Sequence, residues 1–259
     1  MISAVVVTFN RKKLLLECLN ALKTQTYPLN AIFIIDGPSK DGTPEALMTH
    51  GYIVKLPPKD YSEFLWETEN VIYNSTNHPI RIHYIRFYKD MGGSGGFYEG
   101  VKRAYKCGYH WIWLMDDDAE PKRDALEKLM KYVDMRDAVG LACLKVDPEG
   151  NVLRWHRGYF YFEDVSKHIV KPIQDHEYKN KNFVEIDHSS FVGLLVNAKG
   201  IKKIGFPDKR FFLHYDDVEY CIRLRKIGKI YMVPDSIIIH KEYFKKKFNS
   251  KRVSRKNGL

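Results

Sequence analysis

The sequence predicts an α/β fold: a doubly wound, mostly parallel sheet followed by a mixed α+β half. Three observations carry that expectation. Apolar, β-branched runs alternate with helix-periodic segments four times over before Gly140. Polar residues fall at the ends of those runs, where open α/β sheets gather their ligands. After Gly140 the strands become short and irregularly spaced, and no Gly/Ser- or Pro-rich linker divides the halves.

The elements follow in order. Residues 2–8 are a β-branched apolar run suited to a buried parallel strand. Asn10 stands as the N-cap of a helix whose apolar stripe is Leu14, Leu15, Cys18, Leu19 and Leu22. Residues 31–35 form a second strand, closed by the turn residues Asp36-Gly37-Pro38, and Asp41-Gly42-Thr43-Pro44 opens a short helix. Residues 51–79 read as a surface insertion with a helix around 61–73. Residues 80–87 give the third strand, then a glycine turn at 92–96 and a helix over 97–107. Residues 111–115 are the fourth strand, ending in Asp116-Asp117-Asp118. Pro121 fits the first turn of a helix reaching about 133. Beyond Gly140, strands are expected at 141–146, 159–162, 168–173, 184–187 and 191–197. A helix over 216–227 and strands at 230–233 and 237–240 complete one domain over 1–240.

Composition narrows the class. Hydrophobic residues are 44% and charged residues 29% of 259, the balance of a globular chain and not of a disordered one. No run of about 18 apolar residues is present, and Met1 to Val7 is too short and lacks the basic start of a signal peptide. Cys18, Cys107, Cys143 and Cys221 are scattered without a CxxC pair, which argues against a disulfide scaffold or zinc ribbon. These features predict a cytoplasmic protein. The net charge is +10, yet residues 241–259 hold eight Lys and Arg against one Glu and carry +7 of it. This basic tail, with Tyr243, Phe244 and Phe248, suits peripheral contact with an anionic membrane at the inner face of the cell membrane, at about 1 kcal/mol per basic residue. Nonspecific nucleic-acid binding and a merely solvated end are the competing readings, and no specific nucleic acid is expected.

Three consecutive carboxylates at a strand's end repel one another and call for a cation. Hard oxygen ligands suit Mn²⁺ or Mg²⁺, so Asp116-Asp117-Asp118 reads as a diphosphate–metal clamp; helix capping accounts for one aspartate but not three. Gly92-Gly93-Ser94-Gly95-Gly96 permits close backbone approach ahead of a helix N-terminus, which makes Gly93 and Ser94 candidates to meet a phosphate, with a flexible turn as the competing reading. It matches neither GxGxxG nor the GK[ST] pattern. Tyr215-Asp216-Asp217-Val218-Glu219 sets carboxylates at a helix start, where one of them is a candidate general base or a plain N-cap. His240, ending an isoleucine-rich strand, is a candidate Mn²⁺ ligand or a structural histidine. Trp155-His156-Arg157 is an aromatic and basic cluster able to face a sugar or phosphate.

Taken in order, VVVTFNR at 5–11, Ile34-Ile35-Asp36, GGSGGF at 92–97, WIWLMDDDAEP at 111–121 and YDDVE at 215–219 resemble the family 2 inverting glycosyltransferases of GT-A fold. The likeness is to the bacterial branch holding galactofuranosyl- and rhamnosyltransferases of surface polysaccharides. It implies a Rossmann-like GT-A fold whose nucleotide-binding half is 1–118 and whose acceptor-side half is 119–240. It implies that Thr8, Asn10 and Asp36 line the pocket for base and ribose. Asp116 and Asp118, with Asp117 between them, would hold the nucleotide sugar and Mn²⁺ or Mg²⁺. His240 would complete the metal shell, and Asp217 would be the catalytic base. The implied donor is UDP-galactofuranose, with dTDP-rhamnose second, and the implied acceptor a glycan or glycolipid. Two positions depart from the family: Asp90 stands where it usually has Asn, and Gly37 follows Asp36 where it often has Asn or Asp. Both bear on donor identity more than on reaction class. A sugar nucleotidyltransferase would carry a glycine-rich basic loop after the first strand, which Thr8-Phe9-Asn10-Arg11-Lys12 lacks. A nonenzymatic binder would depend on the tail.

Overall fold

The computed structural model describes residues 1–59, 63–162 and 169–241. The first half runs β1 (Ile2–Thr8), α1 (Lys12–Lys23), β2 (Ala31–Asp36), α2 (Thr43–Thr49), β3 (Leu65–Tyr73), β4 (Pro79–Phe87), α3 (Gly92–Lys106) and β5 (Trp111–Asp116). The second runs β6 (Ala119–Pro121), α4 (Ala125–Met130), β7 (Ala138–Val146), β8 (Arg157–Phe160), β9 (Val170–Pro172), α5 (Asp175–Tyr178), β10 (Val184–Ile186), β11 (His188–Ser189), β12 (Leu194–Asn197), α6 (Ala198–Ile204), α7 (Asp216–Arg225) and β13 (Lys229–His240).

One sheet, ordered β10-β13-β7-β12-β5-β1-β2-β4-β3, crosses from one half to the other, with β6 added alongside β13. β1 lies between β2 and β5, parallel to both, and is buried on both faces, so its sequence needs no polar alternation. The register sets Thr8 beside Asp36 and Val7 beside Asp116. Three strand ends and their polar residues are thereby brought level. Side chains alternate between two cores. Ala4 and Val6 face α1, α2 and α4, whereas Val5 and Ile35 face α3, α6 and α7. A small sheet of β11, β8 and β9 lies beside the main one.

The far end of the chain returns to the same place. β13 pairs antiparallel with β6, setting His240 opposite Ala119, and the Lys241 amide donates to the Asp118 carbonyl at 2.9 Å. A short strand directly after the aspartates therefore fastens the histidine beside them.

Several expectations are corrected. Residues 65–73 are the edge strand β3, paired antiparallel with β4, and not a helix; Tyr61 lies outside the described residues. Trp66, Thr68, Asn70 and Ile72 share the more covered side of β3, a period of two that its Glu and Asn residues obscure. The glycines at 92–96 are not a turn but the first turns of α3. A Cβ on Gly96 would lie 2.6 Å from Val7 Cγ1, and one on Gly100 would lie 2.3 Å from Val5 Cγ1. Bare glycine faces let the helix sit directly on β1. Asn10 is not the N-cap of α1: Arg11 holds that position, and Asn10 has φ 57°. Pro121 belongs to β6 rather than to a helix, and the strands expected at 230–233 and 237–240 are one strand, β13, with a register irregularity between Val233 and Ile237. The helix α6 went unforeseen. Residues 242–259 of the basic tail lie outside the described residues.

Gly100→Ala should lower stability by about 1–3 kcal/mol, because the added methyl meets a packed valine on a rigid strand. Urea denaturation followed by tryptophan fluorescence checks this; an unchanged midpoint would mean that α3 is not seated on β1 as described.

Candidate active site

A cavity of about 550 Å³ opens at the ends of β1 and β5. Its wall includes Thr8, Asp116, Asp117, Asp118, Asp217 and His240, drawn from both halves of the chain. Of the residues singled out from sequence, Gly93 also lines it, with open space where a Cβ would be.

Each aspartate has its own surroundings. Asp117 is buried; its Oδ2 accepts from the Thr8 hydroxyl at 2.7 Å, and Arg11 Nη1 lies 3.5 Å from Oδ1. Burial pushes its carboxyl up to about 7, against the pull of Thr8 and Arg11. Asp118 is buried as well, with Arg11 Nη1 at 2.9 Å from Oδ2 and His240 Nε2 at 3.0 Å from Oδ1. Burial alone would raise Asp118, but His240, Arg11 and Lys145 reverse that and hold it below the ordinary carboxylate value. Asp116 is half-buried at the tip of β5.

One ligand atom from each of Asp116, Asp118 and His240 falls within 4.8 Å of the others. Two ligands bound at about 2.1 Å on opposite sides of one ion stand roughly 4.2 Å apart, so the side chains need only small adjustments to share an ion. Two carboxylates and an imidazole make a donor set that fits Mn²⁺ and accommodates Mg²⁺. The cluster is the one grouping of this kind among the described residues.

Asp217, at the first turn of α7, also faces the cavity, and its Oδ1 accepts from the Val218 amide at 2.7 Å. Burial and the adjoining Asp216 push its carboxyl up to about 6. Asp216 is raised too, by burial, with Ser94 opposing.

Other residues stand behind the wall. Asp36 is fully buried and accepts from Ser39 Oγ at 2.5 Å, Tyr84 Oη at 2.7 Å and Arg86 Nη1 at 2.6 Å. Asn10 is exposed; its amide donates to Ser39 Oγ at 2.8 Å, and its side chain accepts from the Lys40 amide at 2.7 Å. Neither is among the cavity-lining residues. Both brace the turn after β2 that carries Gly37 into the wall. Ser94 is buried inside α3, its amide donating to the Phe212 carbonyl at 3.0 Å. Arg157 is buried and pins the carbonyls of Cys143 at 2.8 Å, His156 at 2.7 Å and Val192 at 2.7 Å. Its neighbour Trp155 is exposed.

Sequence reasoning missed Arg11 and Lys145. The cation demanded by three aspartates is in part Arg11, one residue beyond the proposed cap. Lys145 is buried in β7, lines the cavity, and places Nζ 3.3 Å from His156 Nδ1, whose imidazole burial and Lys145 hold down at about 2. A lone lysine within the apolar run GLACLKV was its signal. Phe212 and Leu213, which also line the cavity, went unassigned.

A family model described as "Glycosyltransferase like family 2" matches residues 1–257. The chain is similar to a galactofuranosyltransferase of Mycolicibacterium smegmatis, 25% identical over 232 residues that cover 88% of this chain and 66% of that protein. It is similar to a dTDP-rhamnosyl transferase of Shigella flexneri, 20% identical over 182 residues covering 66% of this chain and 58% of that protein. The chain thus spans at most about two thirds of the length of these relatives. Among solved structures, a mannosyltransferase from Pyrobaculum calidifontis in complex with GDP-Man and Mn²⁺ superposes with a TM-score of 0.61 at 15% identity, covering 95% of this chain and 58% of that one. That likeness is one of fold: both are GT-A folds.

Asp36 supplies a test of the wall. Its folded pKa of about 6 stands above the ordinary 3.8. Between about pH 4 and 6 the unfolded chain loses this proton while the folded chain keeps it, so the group's contribution to stability falls as pH rises through that window. Asp36→Asn should make the measured slope shallower, leaving the part that Asp117 and Asp217 contribute. It should also lower stability by about 3–5 kcal/mol, because Arg86 is left without its buried partner. Urea midpoints measured from pH 4 to 7 check both; a slope equal to the wild type's would show that Asp36 contributes none of it.

Proposed function

From its place in the glycosyltransferase-like family 2, to which this chain belongs, we propose that it is a metal-dependent inverting glycosyltransferase. It moves a sugar from a nucleotide-sugar donor, in first place UDP-galactofuranose, to a hydroxyl of a growing bacterial surface glycan. The observation that carries this reading is the convergence of Asp116, Asp118 and His240 within 4.8 Å, in the cavity that Asp217 also lines.

Asp116, Asp118 and His240 would hold Mn²⁺ or Mg²⁺. Bound there, the ion supplies positive charge to the diphosphate that departs from the sugar. Arg11 keeps Asp117 and Asp118 in place by pairing with both. Lys145 adds a buried positive charge to the same wall. Asp217 accepts the proton of the acceptor hydroxyl, and that oxygen forms a bond to the anomeric carbon from the side opposite the diphosphate. The bond from carbon to the diphosphate oxygen breaks in the same displacement. The proton ends on Asp217, the electron pair leaves with the nucleoside diphosphate, and the configuration inverts. A base with pKa about 6 is ionised at neutral pH yet still basic enough to draw the proton.

Residues 1–118 serve as the nucleotide-binding half and 119–240 as the acceptor side, joined by the common sheet. Gly93 at the wall and Thr8 beside Asp117 adjoin the donor. The tail at 241–259, with +7 charge, suits contact with the anionic inner face of the cell membrane, where a lipid-linked acceptor is presented. No helix among the described residues is long and apolar enough to cross a membrane. dTDP-rhamnose is the second donor, favoured by the likeness to the Shigella flexneri enzyme.

Asp217→Asn should reduce turnover by about 10²–10⁴-fold while nucleotide binding persists. In the wild type, kcat/KM should fall about tenfold per unit as pH drops below about 6, since only the ionised Asp217 accepts a proton. Transfer assays with UDP-galactofuranose and dTDP-rhamnose over a pH series measure both. Near-normal turnover in the Asn variant would remove Asp217 from the chemistry.

A further inference from the structure

The segment leading into Asp217 is strained and apolar where a relaxed polar loop would serve as a connection. Asp208 caps a single 3₁₀ turn at Lys209–Phe211. Phe212 then adopts φ 65° and ψ −60°, and the Leu213 amide donates to the Phe211 carbonyl at 2.8 Å. This is the rare, strained form of γ-turn. Two residues on, Tyr215 takes φ 68° and ψ 0° as it enters α7. Bulky aromatic residues seldom adopt positive φ, and strain of this kind persists only where the surroundings impose it.

Those surroundings are visible. The Phe212 carbonyl accepts from the Ser94 amide at 3.0 Å, and a Cβ on Gly92 would lie 2.0 Å from that oxygen. The glycine at the start of α3 is therefore a seat for the Phe212 backbone, and any side chain there would expel it. Held in this way, Phe211, Phe212, Leu213 and Tyr215 remain 40%, 50%, 57% and 58% exposed. Phe212, Leu213 and His214 line the cavity together with Asp217, whereas Phe211 and Tyr215 lie outside its wall.

We propose that Phe212 and Leu213 form a ledge on which the apolar face of the acceptor sugar stacks, presenting its hydroxyl to Asp217. This deepens the glycosyltransferase reading and rests on it. Aromatic rings present a flat apolar surface that matches the C–H face of a pyranose or furanose ring. Asp116, Asp118 and His240, which line the same cavity, are the residues the proposed function gives to the donor diphosphate. Asp217 must meet the acceptor, and the ledge runs straight into it in the chain. A bilayer anchor would need exposed apolar area but no fixed orientation. Here the carbonyl clamp and the γ-turn fix the orientation of Phe212 relative to α3 and the cavity.

Phe212→Gly tests the ledge, because glycine accepts the positive φ without strain while the ring is lost. The probes are methyl β-galactofuranoside and methyl α-rhamnopyranoside, followed by saturation-transfer NMR in the presence of UDP and Mn²⁺. The wild type should show transfer to protons of one sugar face. In the variant, binding should weaken roughly tenfold, with melting temperature equal or higher and UDP affinity unchanged. Equal glycoside binding in wild type and variant would overturn the ledge, as would a wild type that binds neither glycoside. Loss of UDP affinity in the variant would overturn it too, by placing Phe212 on the donor side. So would Phe212-dependent binding to phosphatidylglycerol vesicles with glycoside binding unaltered. A wild type that binds the glycosides but not UDP would instead overturn the donor reading and leave the ledge standing.

Discussion

Three consecutive aspartates end β5 at the middle of the sheet, two of them buried. Their mutual repulsion, and the cost of taking charge out of water, must be offset by whatever surrounds them. Much of the architecture answers that demand. Arg11 comes from the turn after β1 and pairs with Asp117 and Asp118. His240 comes from the last described strand, held against Asp118 by the pairing of β6 with β13. Thr8 reaches Asp117 from the end of β1. The beginning, middle and end of the chain are tied together around one set of negative charges, and that set is arranged to share a divalent cation.

The surrounding packing serves the same geometry by different means. Glycines at 96 and 100 let α3 sit directly on β1, and Gly92 at the head of that helix accepts the Phe212 backbone. One helix thus sets both the depth of the cavity floor and the position of its rim. Behind the wall, the carboxylate of Asp36 gathers Ser39, Tyr84 and Arg86 and fixes the turn after β2. The two carboxyls that burial raises most clearly in the wall differ in circumstance. Asp117 is engaged by Thr8 and Arg11, whereas Asp217 accepts from the neighbouring Val218 amide and faces the cavity. The first is suited to structure and the second to proton transfer.

Much of this was legible in the sequence, for identifiable reasons. The parallel core announced itself because strands buried on both faces must be apolar throughout, as 2–8, 31–35 and 111–115 are. The aspartates were legible because carboxylates directly after such a strand have few structural uses. His240 was a candidate only as the polar end of an apolar strand; its meeting with Asp118 depends on β6, three residues long and hidden behind Pro121. Glycine permits close approach of any kind: at Gly96 the approaching group is Val7, at Gly92 it is the Phe212 carbonyl, and Gly93 faces open space in the cavity wall. β3 was read as helical because its exposed side carries Glu67, Glu69 and Val71 among residues that fit either period. Asn10 and Asp36 were legible as important polar residues of strand ends, but the sequence cannot tell a residue on a wall from one that braces it. The lone lysine of GLACLKV marks Lys145 as unusual, but what it meets, and the positive φ of Phe212, depend on tertiary contacts.

Calorimetric titration of UDP into the purified protein, with and without Mn²⁺ and repeated for Asp118→Ala, bears on the central claim most directly. The account predicts UDP binding that strengthens sharply with Mn²⁺ in the wild type, and loss of that metal dependence in the variant. UDP affinity that is indifferent to Mn²⁺, or a metal response that survives the loss of Asp118, would contradict it.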